Sequence, residues 1–300
     1  MAAVVDRDGF RVRKASLRDA DDIWGIVREE GWRPNNLQLI RAYMEIAKDG
    51  WWVAEKDGKI IGCVMVYSFN ETHTFLGYLI VKPEHRGKGI ARALKAEADT
   101  LAADRAIVLV ANEAITPMYL KWGYKKSMRS GVGKYVVTIK NIPVAEAAEF
   151  KYEIKDYSEV DWKAILDYDT TFHVIPRERV LRIWFRIEHS QTKVLLLDGK
   201  IAGYGTIMPA NDGFAVSPLY GDTPEACLVL LKRLVAPLPP ASPVYLTIPD
   251  SSQAGQTLLA ANVDTAKQTV YGYVLETGNS PPLPKWSNAM SLISVSFCFL

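Results

Sequence analysis

One short pattern occurs twice and restricts the chain to folds that can be built from two similar halves. Val53-Ala54-Glu55-Lys56-Asp57-Gly58-Lys59-Ile60-Ile61-Gly62 returns as Val194 to Leu197 followed by Asp198-Gly199-Lys200-Ile201-Ala202-Gly203, 141 residues later. Asp-Gly between two apolar runs predicts a pair of strands joined by a tight turn. The repeat extends upstream. Phe10-Arg11-Val12-Arg13 alternates, and Ser16 is placed to cap a helix through Ile23, Trp24 and Val27. Tyr152-Glu153-Ile154-Lys155 alternates as well, and Ser158 stands before Trp162, Ile165 and Leu166, at an offset of 142. Two features at nearly one offset point to a duplicated unit.

Composition agrees with two globular halves. The chain has 300 residues, 49% apolar and 23% charged, enough to bury a core. A net charge of +2 gives no reason to expect a nucleic-acid partner. Asp6, Arg7 and Asp8 stand where a leader peptide needs an apolar run. No stretch has the roughly 20 apolar residues of a membrane helix, so no membrane partner is expected. Cys63, Cys227 and Cys298 are odd in number and too far apart for a metal site or a disulfide framework, which favours a reducing compartment, and a cytoplasmic location is expected.

The first half reads strand, helix, helix, three strands, helix, strand, helix, strand. Asn36 caps a helix over 37–47, and strands fall at 51–54, 59–67 and 75–81. A helix over 90–103, a strand over 107–111, a short helix over 116–122 and a closing strand over 135–139 follow. This order implies an α/β (α+β) sheet flanked by helices. Pro143 marks a linker at 141–149. The expected domains are 1–143 and 150–275. Ser280-Pro281-Pro282-Leu283-Pro284 predicts that 276–300 is a tail outside the folded units.

The chemistry concentrates after the strand ending Tyr78-Leu79-Ile80-Val81. There Lys82-Pro83-Glu84 leads to His85-Arg86-Gly87-Lys88-Gly89-Ile90-Ala91, and an amphipathic helix carries Ile90, Leu94 and Ala98 on one face. A glycine loop between strand and helix exposes successive backbone N–H groups to a pyrophosphate. Gly87 and Gly89 let the backbone come close, and Arg86 and Lys88 add charge. The loop is neither GxxxxGK[ST] nor GxGxxG, which sets aside P-loop and dinucleotide folds.

With its flanking strand and helix, the loop resembles the signature of the GNAT acetyltransferases, with Arg86, Gly89 and Ala91 at its defining positions. Downstream, Asn112 and the run Met118-Tyr119-Leu120-Lys121-Trp122-Gly123-Tyr124 resemble a second segment of that family. The resemblance implies two GNAT-like domains, each a mixed, mostly antiparallel twisted sheet. It implies acetyl-CoA as co-substrate, no metal, and transfer to a primary amine of a small molecule by direct attack. Leu79, Ile80, Val81 and Asn112 would bind the pantetheine arm, residues 86–91 the pyrophosphate, and Tyr119 would be the acid. The family's common base position is Phe75 here, which cannot accept a proton. His73, two residues earlier on the same face, is the candidate base, with Glu71 and His173 as other options.

The second half lacks the glycine loop. Gly213-Phe214-Ala215-Val216-Ser217-Pro218-Leu219-Tyr220-Gly221-Asp222 is expected in its place, with Pro218 removing an N–H donor and no base nearby. This half resembles the degenerate second domain of tandem GNAT proteins. Tyr220, Asp222 and Arg177 are its candidates for an acceptor wall, and Asp222 could instead cap the next helix. An acyl-CoA sensor without turnover and a protein-lysine acetyltransferase are the competing readings.

Overall fold

The computed structural model describes residues 5–7, 9–32, 36–127, 131–173, 175–279 and 285–292. Two compact units emerge, the first holding 1–109 and 276–279, the second 110–275 and 280–300.

In the first unit, β1 (Val5–Arg7), β2 (Phe10–Lys14), β3 (Trp51–Lys56), β4 (Lys59–Ser68) and β5 (His73–Val81) pair in sequence order, all antiparallel. β6 (Ala106–Asn112) adds a parallel pairing to β5, His73 to Phe75 against Ala106 to Val108. Asp57 (φ 48°) and Gly58 (φ 73°) form the β3–β4 turn with positive φ at both positions, the conformation that Asp-Gly favours. Helices α1 (Ala20–Glu29), α2 (Leu37–Ile46) and α3 (Ile90–Ala102) accompany the sheet, with α1 on β4 and β5 and α3 on β3, β4 and β5. Ile90, Leu94 and Ala98 of α3 are buried, as their spacing predicts. Asn36 Oδ1 accepts the Leu39 N–H at 2.9 Å, the expected cap of α2.

The second unit opens with α4 (Thr116–Lys121), β7 (Lys125–Lys126) and β8 (Val132–Thr138). After α5 (Glu146–Lys151) come β9 (Glu153–Asp156), α6 (Trp162–Asp169), α7 (Glu178–Trp184), β10 (Gln191–Leu197), β11 (Lys200–Ala210) and β12 (Gly213–Gly221). Then follow α8 (Pro224–Val235), β13 (Pro243–Pro249), α9 (Gln253–Ala261), β14 (Ala266–Glu276) and β15 (Ala289–Ser291). The strand order is β14-β8-β13-β12-β11-β10-β9, with β12 and β13 parallel and the other neighbours antiparallel. Asp198 (φ 49°) and Gly199 (φ 74°) reproduce the first unit's turn. Each unit is a mixed sheet with helices packed on it, as the duplicated pattern predicts.

Several local expectations are corrected. β8, expected to close the first copy, pairs with β13 on one side and β14 on the other; flanked by two ladders, it leaves no open edge. The linker contains α5, because Ala145-Glu146-Ala147-Ala148-Glu149 is a run of strong helix formers. Ser158 lies in a single tight turn, and Asp161 caps α6 by accepting the Ala164 N–H at 3.0 Å. Thr223, not Asp222, caps α8 by accepting the Ala226 N–H at 3.1 Å. Part of the expected tail is structured: β15 pairs with β12, and Ala289, Met290, Ser291 and Leu292 are at most 1% exposed. Their small and apolar side chains fit a core. Ser280–Pro284 and Cys298 lie outside the described residues.

Candidate active site

β5 is bent where it meets the loop. Cys63 pairs with Ile80 and Met65 with Gly77, so Val64 alone faces Tyr78 and Leu79. This β-bulge places Tyr78 at φ 52°, a left-handed conformation uncommon for a residue with a side chain. The ring of Tyr78 is buried among Trp32, Tyr43 and Trp51, with centroids 5.6, 5.5 and 5.2 Å away. Those contacts hold the bulge. Beyond Phe75 the ladder to β6 stops among the described residues, while Ile80 and Val81 remain paired to β4. One edge of the end of β5 is thereby available to an extended ligand.

The following eight residues, 82–89, form the loop. Gly87 has φ 77° and Gly89 φ 78°, so both positions require a residue without a Cβ. A Cβ at either would meet no atom within 4 Å, so the main chain is uncovered on that side at both glycines. The first regular helical bond runs from Ala93 N–H to Gly89 O. Among the described residues, the backbone N–H groups from Gly87 through Arg92 have no backbone acceptor. No side chain caps α3, and its first turn carries no acid. A run of unsatisfied donors at a positive helix end, bordered by Lys88 and Arg92, fits two linked phosphates.

Arg86 serves this cradle indirectly. Its Nε donates to Val81 O at 2.9 Å and a terminal nitrogen to Glu30 Oε2 at 2.6 Å. The side chain thus ties the loop to the end of β5 and to the residue after α1. Lys82 Nζ adds a second tie to α1, 3.5 Å from Glu29 Oε2. Lys88 Nζ donates to Glu84 O at 2.9 Å. Sequence reasoning assigned Arg86 to the phosphates and missed Glu30; an acid ending a helix carries no signal of a partner 56 residues away.

His73 stands at the opposite end of β5, about 25 Å along the strand from Val81 at the usual rise per residue. It is 9% exposed. Nδ1 lies 2.7 Å from Thr72 Oγ1 and Nε2 3.4 Å from Asn279 O. With both ring nitrogens engaged, it is set as a structural histidine rather than a proton acceptor at the end of β5. Phe75 is buried.

Asn112 and Tyr119 fall in the second unit. Asn112 Oδ1 accepts the Ile115 N–H at 3.1 Å and its carbonyl accepts Thr116 Oγ1 at 2.7 Å, so it shapes the start of α4. Tyr119 is 4% exposed and is held edge-to-face by Trp122 and Tyr124, at 5.5 and 5.4 Å. Among the described residues its hydroxyl forms no hydrogen bond. Burial pushes its phenol well above the ordinary range, so it keeps its proton at neutral pH.

Arg177 and Tyr220, expected on an acceptor wall, are 3% and 0% exposed. Arg177 donates to both carboxylate oxygens of Asp169, at 3.0 and 2.5 Å. Tyr204 Oη donates to the same carboxylate, and Tyr220 Oη lies 3.3 Å from His173 Nε2. Burial alone would raise Asp169, but the charges of Arg177 and His173 and the hydrogen bonds outweigh it and hold the carboxyl below its usual range. These groups form one buried network of ion pair and hydrogen bonds. His173, another candidate base, belongs to it. Asp222 reaches the surface, where its carboxylate takes Lys285 Nζ at 2.7 Å.

Among the described residues no group of three or more His, Cys, Asp or Glu is arranged to hold a metal, and no helix is long and apolar enough to cross a membrane. Taken together, the fold is that of two similar α/β units, and the first carries a run of open backbone donors at the start of α3. The Acetyltransferase (GNAT) family matches residues 17–124, and an Acetyltransferase (GNAT) domain matches 165–283. The chain belongs to the GNAT acetyltransferase superfamily, with tandem architecture. It is 22% identical to a holothin acyltransferase of Pseudoalteromonas, over 79% of this chain and 78% of the relative. A Pyrococcus horikoshii protein described as an acetyltransferase candidate shares the fold at TM-score 0.77 and 16% identity, covering 97% of each chain. A tandem GNAT protein from the clavulanic acid biosynthesis pathway aligns at TM-score 0.66 and 14% identity, covering 91% of this chain and 100% of that one.

Proposed function

We propose that this chain transfers an acetyl group from acetyl-CoA to a primary amine of a small molecule, by direct attack while both substrates are bound. The observation that carries the reading is the run of N–H groups without a backbone acceptor from Gly87 through Arg92, at two glycines where an added Cβ would meet no atom within 4 Å. These donors hold the pyrophosphate. Main-chain groups of Leu79, Ile80 and Val81 orient the pantetheine arm along the free edge of β5. Acetyl-CoA supplies the activated acyl group. Holding it beside an amine turns the encounter into an effectively intramolecular reaction and removes any need for a covalent enzyme intermediate.

Tyr119 is the proposed acid. A phenol that stays protonated can donate a hydrogen bond to the developing thiolate and so assist its departure. The amine's proton is assigned to water, because His73 has both ring nitrogens engaged. The name of the Pseudoalteromonas relative supports acyl transfer in general.

The test is release of free thiol from acetyl-CoA by purified protein over a panel of aliphatic and aromatic amines and lysine peptides. Turnover with a small amine supports the proposal. Binding without turnover on every amine and peptide would favour a sensor, and turnover on peptides alone would favour a protein-lysine acetyltransferase. Tyr119→Phe is expected to lower kcat about a hundredfold with KM for acetyl-CoA unchanged; an unchanged kcat removes Tyr119 from the mechanism. Arg86→Glu is expected to abolish binding of acetyl-CoA in calorimetry, because it releases both Val81 and Glu30.

A further inference from the structure

The two units share a feature at the strand that ends before the loop, but they use it differently. In the second unit, Gly205 pairs with Leu219 and Ile207 with Val216, so Thr206 alone faces Ser217 and Pro218. This is the counterpart of the bulge that Val64 faces in the first unit. The parallel ladder again stops just before it, after Phe214 to Val244 and Ala215 to Tyr245. Past that point no further β12–β13 pair forms among the described residues, and Ala289–Ser291 pairs with β12 while Ser291 and Leu292 reach Thr247 of β13.

The fit is close. Leu219 and Tyr220 of β12 pair with Ser291 and Ala289. Ser291 Oγ donates to Val216 O at 2.7 Å and accepts the Thr247 N–H of β13 at 3.0 Å. Leu292 N–H donates to Thr247 O at 3.0 Å, and Leu292 O accepts Ser217 Oγ at 2.8 Å. One extended segment therefore meets the main chain of both strands. Met290, 0% exposed, is part of the apolar core beneath it. At the mouth, Lys285 pairs with Asp222 and Asn288 Nδ2 donates to Asp222 O at 2.8 Å.

We propose that the groove between β12 and β13 is an extended-peptide site, and that residues 289–292, led in by the turn 286–288, are its resident ligand in the place where the first unit takes the pantetheine arm. The comparison with pantetheine rests on the function proposed above; the peptide site itself does not. The same strands serve either ligand, because each presents its main chain to an extended partner. A peptide that brings its own N–H, C=O and Ser291 hydroxyl leaves no room for a second acyl-CoA.

The experiment uses the full chain, read by hydrogen exchange and by calorimetry with acetyl-CoA. Ser291→Ala removes the acceptor for the Thr247 N–H and is expected to raise exchange at that amide about fivefold or more, with little change elsewhere. Met290→Asp is expected to raise exchange at Thr247, Leu219 and Tyr220 together, and a synthetic peptide of residues 285–292 is expected to restore protection. Unchanged exchange at Thr247 in Ser291→Ala would overturn the proposal, and that variant is mild enough to fold. Two molecules of acetyl-CoA bound per wild-type chain would also overturn it; one is expected. No uptake at all would sink the acyl-CoA reading of the first unit, while the exchange result would still decide the peptide site.

Discussion

The connection from β5 to α3 and that from β12 to α8 begin from matching strands and end in opposite chemistry. The first has eight residues, 82–89, and the second two, Asp222 and Thr223. The first ends on Gly89 in the left-handed conformation, with no side-chain cap and no acid in the helix's first turn. In the second, Thr223 Oγ1 takes the Ala226 N–H, Pro224 removes a donor, and Glu225 brings negative charge to the helix start. A helix start binds an anion only if the protein leaves its donors unsatisfied. The second unit satisfies or removes them, and gains stability where the first leaves its donors open for the proposed cofactor.

The largest expected effect tests the claim that the second unit's ionisable groups hold structure rather than perform chemistry. Arg177→Met leaves Asp169 buried without its cation and is expected to cost about 3–5 kcal/mol, measured by urea unfolding, with acetyl-CoA affinity unchanged wherever the protein is folded. A loss of affinity with stability intact would assign Arg177 to the site after all. The same pair sets a pH dependence. Asp169 has its folded pKa held below the unfolded value of about 3.9. Its contribution is therefore present above that pH and is lost as pH falls through the folded value. Stability from Asp169 should be level from neutrality to about pH 4 and decline only in stronger acid. Asp169→Asn should remove that part of the acid decline.

Next in size is Gly89→Val. Its Cβ meets no neighbouring atom, but it puts a β-branched residue at φ 78° and a side chain beside the N–H groups proposed to hold phosphate. Acetyl-CoA affinity is expected to fall about a hundredfold, equivalent to about 2.7 kcal/mol. The thermal midpoint should fall only modestly. Full affinity in this variant would mean that the phosphates sit elsewhere.

The parts of this comparison that were legible in sequence are those with local causes. Asp57-Gly58 and Asp198-Gly199 announce their turns because those dipeptides tolerate positive φ, and both adopt it. Gly87 and Gly89 announce the cradle for the same reason. What stayed hidden depends on partners distant in sequence. Nothing near Ser291 says that it will meet Val216 and Thr247, and a serine-bearing segment after Ser280-Pro281-Pro282-Leu283-Pro284 reads as solvated. Arg177 and Tyr220 looked available for a substrate because a polar residue's burial is set by its partners, here Asp169 and His173. The segment 213–222 was expected to replace the loop, yet 213–221 is the strand itself. The deletion falls after it, where two residues replace eight and no motif remains to mark the loss.

The smallest expected effect separates two accounts of that lost site. If the Thr223 cap were all that kept an anion off α8, removing it would expose the donor of Ala226. Thr223→Ala would then bind pyrophosphate measurably. If the site was lost because the loop is gone, the same variant would only weaken the helix. The second account is favoured. Pro224 has no N–H, Glu225 remains in the first turn, and no Gly87–Gly89 counterpart exists to aim further donors. Thr223→Ala is therefore expected to lower stability by about 1 kcal/mol in urea unfolding, with one acetyl-CoA bound per chain as before and no heat of pyrophosphate binding at the second unit. A second binding event in that variant would mean that a single hydroxyl, rather than the missing loop, divides the two halves of this molecule.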